Sequence, residues 1–163
     1  SGTLYTPQIV GFAKAVELGL EEQVSEPERL THLRQRLWQQ LSQLEGIHLN
    51  GHPTQRLSGN LNISVEGVDG SALLLGLQPL VAVSSGAACS SVNTAPSHVL
   101  MALGHSEALA YASIRFGIGR FNTVEEIDRV AQHAIATIES LRQSQIFTSK
   151  TAQLKYNSRL RGE

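Results

Sequence analysis

Cys89 is the one cysteine in the sequence, and small or polar residues surround it. It follows a short run from Val81 to Val83 that is rich in β-branched residues. A free cysteine is often a small buried hydrophobe, but serines on both sides of Cys89 do not form a core pattern. We therefore expect Cys89 to be a nucleophile that is presented on a mobile loop, residues 84–95.

Arg115 is the second residue whose type and position indicate chemistry. The alternation from Ala112 to Ile118 predicts a strand with apolar residues on one face and Arg115 on the other. A guanidinium can bind a carboxylate through two parallel hydrogen bonds. The pattern alone is equally typical of a solvated arginine on an edge strand. Together, a presented thiol and an arginine indicate a carboxylate-bearing substrate that meets a sulfur nucleophile.

Other chemical motifs are weak or missing. The Gly-x-Gly at residues 117–119 lies between a predicted strand and a predicted helix, but it lacks the third glycine of a dinucleotide-binding loop. The net charge of −1 gives no general attraction to nucleic acid or anionic membranes. The six histidines have no paired metal-ligand spacing. They are His32, His48, His52, His98, His105 and His133.

Length and composition predict one compact globular domain. The chain has 163 residues, of which 41% are hydrophobic and 17% are charged. No apolar stretch is long enough to cross a bilayer. A single cysteine cannot form an internal disulfide, which is typical of a reducing, cytoplasmic setting. The sequence begins at Ser1 without a methionine, and we expect it to be a fragment.

Two helices are predicted before residue 46, where Gly46 ends the helical period. Thr6 can cap the first helix, which continues to about Leu20. Ser25 and Glu28 have the spacing of a capping box for the second helix. The second helix carries an apolar stripe that consists of Leu30, Leu33, Leu37, Leu41 and Leu44.

The rest of the chain alternates short strands and helices. Strands are predicted at residues 47–49, 61–65, 80–83 and 112–118. Helices are predicted after Asp69, which can cap the first of them, from Pro96 to Leu103, and from a capping box at Thr123 and Glu126 to Leu141. The pattern therefore predicts a mixed α/β (α+β) domain at residues 46–142, a helical arm at 1–45 and a poorly patterned basic tail at 143–163.

Several stretches closely resemble the pyridoxal-phosphate (PLP) cysteine desulfurases of the NifS/IscS-like group, which are class V aminotransferases of fold type I. The resemblance covers residues 1 to about 141, and its most specific parts are the cysteine loop and the Ile-Arg-Phe strand. The stretches are Ser1-Gly2-Thr3 with Gln8-Ile9-Val10-Gly11, Ser84-Ser85-Gly86-Ala87-Ala88-Cys89-Ser90, Pro96-Ser97-His98-Val99-Leu100 with Ala102-Leu103-Gly104, and Ser113-Ile114-Arg115-Phe116-Gly117-Ile118-Gly119-Arg120-Phe121.

The resemblance implies roles for three residues. Cys89 matches the cysteine that takes the sulfur of L-cysteine as a persulfide and releases alanine. Arg115 matches the arginine that binds the substrate carboxylate. Thr3 matches a threonine that reaches the cofactor phosphate of the other subunit in a homodimer. The family passes its persulfide to acceptors such as an iron-sulfur scaffold protein, with no role for nucleic acid or membranes.

The resemblance also implies that the chain is the C-terminal portion of such an enzyme. The family's PLP lysine and catalytic histidine have no counterpart here, so we expect no covalently bound cofactor and no activity from the chain alone. The implied fold is the small domain, a short, mainly antiparallel sheet covered by helices. The alternatives are a stand-alone sulfur-carrier or thiol-sensor domain and a structural dimerisation module.

Overall fold

The computed structural model describes residues 2–85 and 96–161, with side chains described as far as residue 145. Within these ranges, short strands and helices follow one another along the chain. Their bounds are α1 Thr6–Glu22, α2 Glu26–Leu41, β1 Ile47–Leu49, β2 Asn60–Val65, α3 Gly70–Leu77, β3 Ser84–Ser85, α4 His98–Ala102, α5 Glu107–Tyr111, β4 Ser113–Gly117 and α6 Val124–Arg161.

The four strands form one antiparallel sheet in the order β1-β2-β4-β3. Because side chains alternate along a strand, the register divides the sheet into an apolar face and a polar face. Leu61 lies opposite Phe116, and Ile63 lies opposite Ile114, on the apolar face. The mixed α/β fold with a short antiparallel sheet and covering helices is therefore confirmed.

The hydrophobic core lies between the apolar face of the sheet and helices α2, α3 and α6. Each helix contributes apolar side chains that are spaced three or four residues apart, as the sequence pattern predicts. The fully buried members include Leu37 and Leu41 of α2, Leu73 and Leu77 of α3, and Ala131, Ala134 and Ile138 of α6.

Two of the predicted helix caps are confirmed. The Asp69 side chain accepts a hydrogen bond from the Ala72 amide at 2.8 Å, before α3. At the start of α6, the Thr123 hydroxyl accepts from the Glu126 amide at 3.3 Å, and the Glu126 carboxylate accepts from the Thr123 amide at 3.1 Å. These reciprocal bonds form the capping box that the sequence predicts.

The other two predicted caps are wrong. Thr6 is the first helical residue of α1, and the cap position belongs to Tyr5. Ser25 occupies the cap position of α2, but its backbone is already in the helical region and its side chain makes no capping hydrogen bond. A cap side chain reaches the helix amides from an extended backbone, so Ser25 is wrongly oriented.

The predicted strand at residues 80–83 is also wrong. The amides of Leu80 and Val81 both bond back to the Leu77 carbonyl, so the chain is still turning after α3. Of residues 80–85, Ser84 and Ser85 are the two that pair with β4. The result places β3 directly before the segment that carries Cys89.

Helices α2 and α6 differ from the prediction in extent, and α5 is an additional helix. Helix α2 ends at Leu41, before the predicted stop at Gly46, and Gly46 itself has a φ of 71°. The pattern did not predict α5, which Ser106 caps by accepting from the Leu109 amide. Helix α6 continues to Arg161, although the apolar pattern ends near Leu141. The domain boundaries stay a prediction.

Helix α1 contributes nothing to this core. None of its residues is buried, and it presents large apolar side chains to solvent. They are Ile9, Val10, Phe12, Val16 and Leu20, each at least 47% exposed. Glu22, at the end of α1, forms an ion pair with Arg120. In the part of the chain that the structure describes, no helix is long and apolar enough to cross a membrane.

Candidate functional site

A row of polar side chains crosses the polar face of the sheet at the level of Arg115. Asn62 of β2 and Ser84 of β3 are the register partners of Arg115 on either side. Asn50 follows β1, and its backbone N–H donates a hydrogen bond to the backbone carbonyl of Asn62. Directly paired residues project to the same face, so these four side chains form what we call the polar row.

Ser84 holds the side chain of Arg115. The Arg115 Nε–H donates to the Ser84 hydroxyl oxygen at 3.1 Å. Among the described residues, the two terminal nitrogens of Arg115 have no hydrogen-bond partner. A guanidinium binds a carboxylate through such a pair of N–H groups, so this arrangement leaves Arg115 able to bind one.

Asn50 fixes the orientation of Asn62 in the same row. The Asn50 amide nitrogen donates to Asn62 Oδ1 at 2.6 Å and to Ser64 Oγ at 2.9 Å. Asn50 and Ser64 are buried, whereas Asn62 is only partly buried. Because the Asn62 side-chain oxygen accepts this hydrogen bond, the Asn62 NH₂ group is the part of the side-chain amide that has no described partner.

Arg115 and Asn62 line a cleft of about 400 Å³, which we call the Arg115 cleft. Its other walls are the loop after β1 and helix α4. It has no aspartate or glutamate among its lining residues, so its charge is positive. The lining residues are Asn50, Gly51, His52, Gln55, Arg56, Leu57, Asn60, Asn62, Ser97, Val99, Leu100, Leu103 and Arg115.

Two further arginines brace the loop wall of the Arg115 cleft. Arg56 donates to the carbonyls of His52 and Asn50 at 2.7 and 2.8 Å. Arg34 is buried and donates to the Leu57 carbonyl at 3.0 Å. Among the described residues, neither forms an ion pair with a carboxylate. Burial, and then the positive charge of Arg34, lower the pKa of Arg56, as expected where cations lack a counterion.

The structure places two of the three predicted site residues. Arg115 lies in the middle of β4, half-buried, with its side chain on the polar face as predicted. Thr3 precedes α1 and is exposed. Cys89 lies outside the described residues, and so does the loop from residue 86 to 95. The roles of Cys89, Arg115 and Thr3 therefore stay predictions.

The sequence pattern did not identify the remaining members of the site. Ser84, Asn62, Asn50 and Arg56 come from four different segments, and only the strand register brings them together. The alternation of Asn62 and Ser64 with apolar neighbours did indicate a half-buried strand at residues 61–65. Nothing in the sequence indicated that this strand would lie beside Arg115.

The described residues do not form a site for a metal or for PLP. They contain no cluster of three or more acidic, histidine or cysteine residues that could hold a metal ion. PLP requires a lysine for its Schiff base. Lys14 is exposed on α1 and paired with Glu17 at 3.0 Å, and the side chains of Lys150 and Lys155 lie outside the described part.

Comparison with known sequences connects this chain to one family. The family model for aminotransferase class-V matches residues 1–130. A cysteine desulfurase IscS of Aeromonas hydrophila is 52% identical over 128 residues, which are 78% of this chain and 31% of that protein. A cysteine desulfurase IscS of Acinetobacter baumannii is 48% identical over 143 residues, which are 88% of this chain and 35% of that protein.

Solved structures show the same relationship at the level of the fold. A NifS-like protein from Rickettsia africae superposes with a TM-score of 0.74 at 27% identity, over 86% of this chain and 36% of that one. A second NifS-like protein gives a TM-score of 0.69 at 28% identity, over 90% of this chain and 35% of that one. The chain thus spans about a third of the length of the relatives it matches.

Proposed function

The chain belongs to the aminotransferase class-V family, and from this premise we propose that it is part of a cysteine desulfurase. In this proposal Arg115 binds the carboxylate of L-cysteine and Cys89 accepts its sulfur. The relatives' names support the reaction, and residues 84–85, 89 and 113–121 carry the resemblance to that group. We propose a cytoplasmic enzyme with PLP as its cofactor.

The sulfur transfer breaks the C–S bond of the substrate and forms an S–S bond and a C–H bond. The Cys89 thiolate attacks the sulfur of the substrate, an S–S bond forms, and the bond between that sulfur and the substrate Cβ breaks. The electron pair stays with the carbon, which takes up a proton and leaves as alanine. Cys89 is left as a persulfide, so no external oxidant or reductant is needed.

The observation that carries this proposal is the position of Arg115. It lies in a cleft without carboxylates, its terminal nitrogens have no described partner, and its Nε contacts Ser84. Ser84 begins the strand that enters the Cys89 segment. An arginine in this position would hold a carboxylate while the rest of the substrate lies near the sulfur acceptor.

We propose that protein outside this chain completes the cofactor site, since Lys14, the one lysine whose side chain is described, is exposed and paired with Glu17. The exposed apolar side chains of α1 support the same view, since a surface of this kind is normally covered by protein. We propose that the cofactor-bearing remainder of the enzyme covers α1 and that Thr3 reaches the cofactor phosphate across a homodimer.

The persulfide on Cys89 would next be given to a sulfur acceptor. A persulfide is the product that a nucleophilic thiol of another protein can attack, so the acceptor is expected to carry such a thiol. An iron-sulfur scaffold protein is the acceptor that we propose. In this proposal the chain supplies sulfur for the assembly of iron-sulfur clusters.

The experiment is a chimera that supplies the missing part. Residues 1–141 would replace the matching portion of the Aeromonas hydrophila enzyme, and alanine and persulfide formation from L-cysteine would be measured. We expect activity, and we expect none from the Cys89→Ala chimera at equal PLP content. The coding sequence before Ser1 should also encode a lysine-bearing domain.

Two outcomes would contradict the proposal. One is a folded, PLP-loaded chimera that forms neither alanine nor persulfide. The other is a gene in which no lysine-bearing domain precedes this chain, together with a mature protein whose intact mass is that of the chain alone. The second outcome would favour a stand-alone sulfur-carrier or thiol-sensor domain.

A further inference from the structure

We propose that Ser84 is a positioning residue that holds Arg115 ready for the substrate carboxylate. The inference rests on the function proposed above and deepens it, because it names the group that sets substrate affinity through Arg115. The observation is the hydrogen bond from Arg115 Nε to Ser84 Oγ at 3.1 Å, across the β3–β4 pair.

The bond uses the one N–H group of Arg115 that a carboxylate does not need in an end-on contact. Nε points along the side of the guanidinium, and the two terminal nitrogens form the fork at its end. With Nε held by Ser84, that fork keeps one orientation. An arginine side chain loses much rotational freedom when it binds a ligand, and this loss weakens binding. The bond to Ser84 already restricts the Arg115 side chain before the substrate binds, so less freedom is lost on binding.

No other described residue does this for Arg115. Asn62 is its partner on the opposite side, but the Asn62 oxygen is already engaged by Asn50. The cleft offers no carboxylate that could accept from the guanidinium. Ser84 Oγ is thus the acceptor that fixes Arg115 among the residues that the structure describes.

The position of Ser84 adds a second consequence. Its backbone is fixed by pairing with β4, and four residues separate it from Cys89 in the sequence. The same residue therefore ties the carboxylate-binding arginine to the base of the segment that carries the nucleophile.

The test compares L-cysteine with cysteamine, which has the same thiol and amine but no carboxylate. In the PLP-loaded chimera, Ser84→Ala should raise the KM for L-cysteine by roughly 10-fold, the effect of one hydrogen bond to a charged group. The value of kcat should change much less. Binding of cysteamine, measured as the change in the PLP visible spectrum, should be unaffected.

Matched variants separate positioning from folding. Ser84→Thr keeps the hydroxyl and should retain most of the L-cysteine affinity, whereas Ser84→Val has a similar shape without it and should behave as Ser84→Ala does. Ser85→Ala changes the neighbouring residue of β3, whose register partner is Ile114, and should leave the preference for L-cysteine unchanged. Equal melting temperatures of the Thr and Val variants would show that both are folded.

A double-mutant comparison distinguishes this inference from the proposed function. If Arg115→Ala abolishes the preference for L-cysteine, adding Ser84→Ala should have no further effect on it, because Ser84 acts through Arg115. If Arg115→Ala reduces affinity but Ser84→Val equals Ser84→Thr, the role of Ser84 is overturned and the proposed function stands. If Arg115→Ala leaves affinity unchanged, the proposed carboxylate site itself is wrong.

Discussion

Asn62 and Arg115 face each other across β2 and β4, and both project from the polar face of the sheet into one cleft. Asn62 has its amide oxygen engaged by Asn50, and Arg115 has its Nε engaged by Ser84. Each side chain is therefore held through one of its polar atoms. The polar groups of these two side chains that have no described partner are all hydrogen-bond donors, as an anion requires.

The first prediction concerns Arg115. Arg115→Ala in the PLP-loaded enzyme should weaken L-cysteine binding by about 2–4 kcal/mol, by analogy with the loss of one member of a buried charge pair. Arg115→Lys should recover only part of this, because an ammonium lacks the two-pronged geometry. The measurement is the apparent affinity for L-cysteine. An affinity that does not change in the alanine variant would remove Arg115 from the substrate site.

The second prediction concerns Cys89. Cys89→Ala should abolish persulfide formation while L-cysteine still binds at the cofactor, because the nucleophile acts after the substrate is bound. In the folded chain, Cys89 should react readily with an alkylating reagent, since small and polar residues surround it in the sequence. Mass spectrometry gives the rate. Alkylation that requires denaturant would show a buried thiol and contradict the role of sulfur acceptor.

The third prediction is that the isolated chain does not retain PLP. Of its three lysines, Lys14 is exposed and paired with Glu17, and Lys150 and Lys155 lie in α6 beyond the end of the apolar pattern. The measurement is the visible spectrum of the chain after incubation with PLP and desalting. A retained band that disappears when one of these lysines is changed, with alanine produced from L-cysteine, would contradict the fragment interpretation.

The fourth prediction concerns the pH dependence of stability. Hydrogen bonds from Arg36, and then from Gln40, lower the pKa of Asp128, which links α6 to α2. A carboxylate with a lowered pKa stabilises the fold above its unfolded-state pKa, and this contribution disappears as the pH falls through the folded-state value. Asp128→Asn should therefore reduce the melting temperature slightly near neutral pH and have no effect in strong acid.

A control variant on the same helix makes this measurement specific. Glu139 is exposed and forms no ion pair among the described residues. Glu139→Gln should therefore not change how the melting temperature decreases as the pH falls. A difference between wild type and Asp128→Asn that stays constant down to strong acid would contradict the proposed ionic origin.

Sequence pattern alone was sufficient to predict several elements that depend on local contacts. Leucines three and four residues apart predicted the buried stripe of α2, and the reciprocal Thr123 and Glu126 signal predicted the start of α6 correctly. The alternation of apolar and polar residues in β4 predicted correctly that Arg115 lies on the polar face of a strand. These features follow from contacts within one helical turn or from the two-residue period of a strand, so they can be read along the chain.

The residues that lie beside Arg115 could not be predicted from local pattern, because strand pairing brings them there. Ser84, Asn62 and Asn50 are far from it in the sequence, and the strand order β1-β2-β4-β3 and its register bring them into one row. The start of β3 also depends on this pairing, since the sequence had predicted a strand from residue 80, whereas Leu80 and Val81 bond back to Leu77 and β3 begins at Ser84. A shift of one residue in register would move every side chain of β3 to the opposite face, and the contact between Ser84 and Arg115 would not exist.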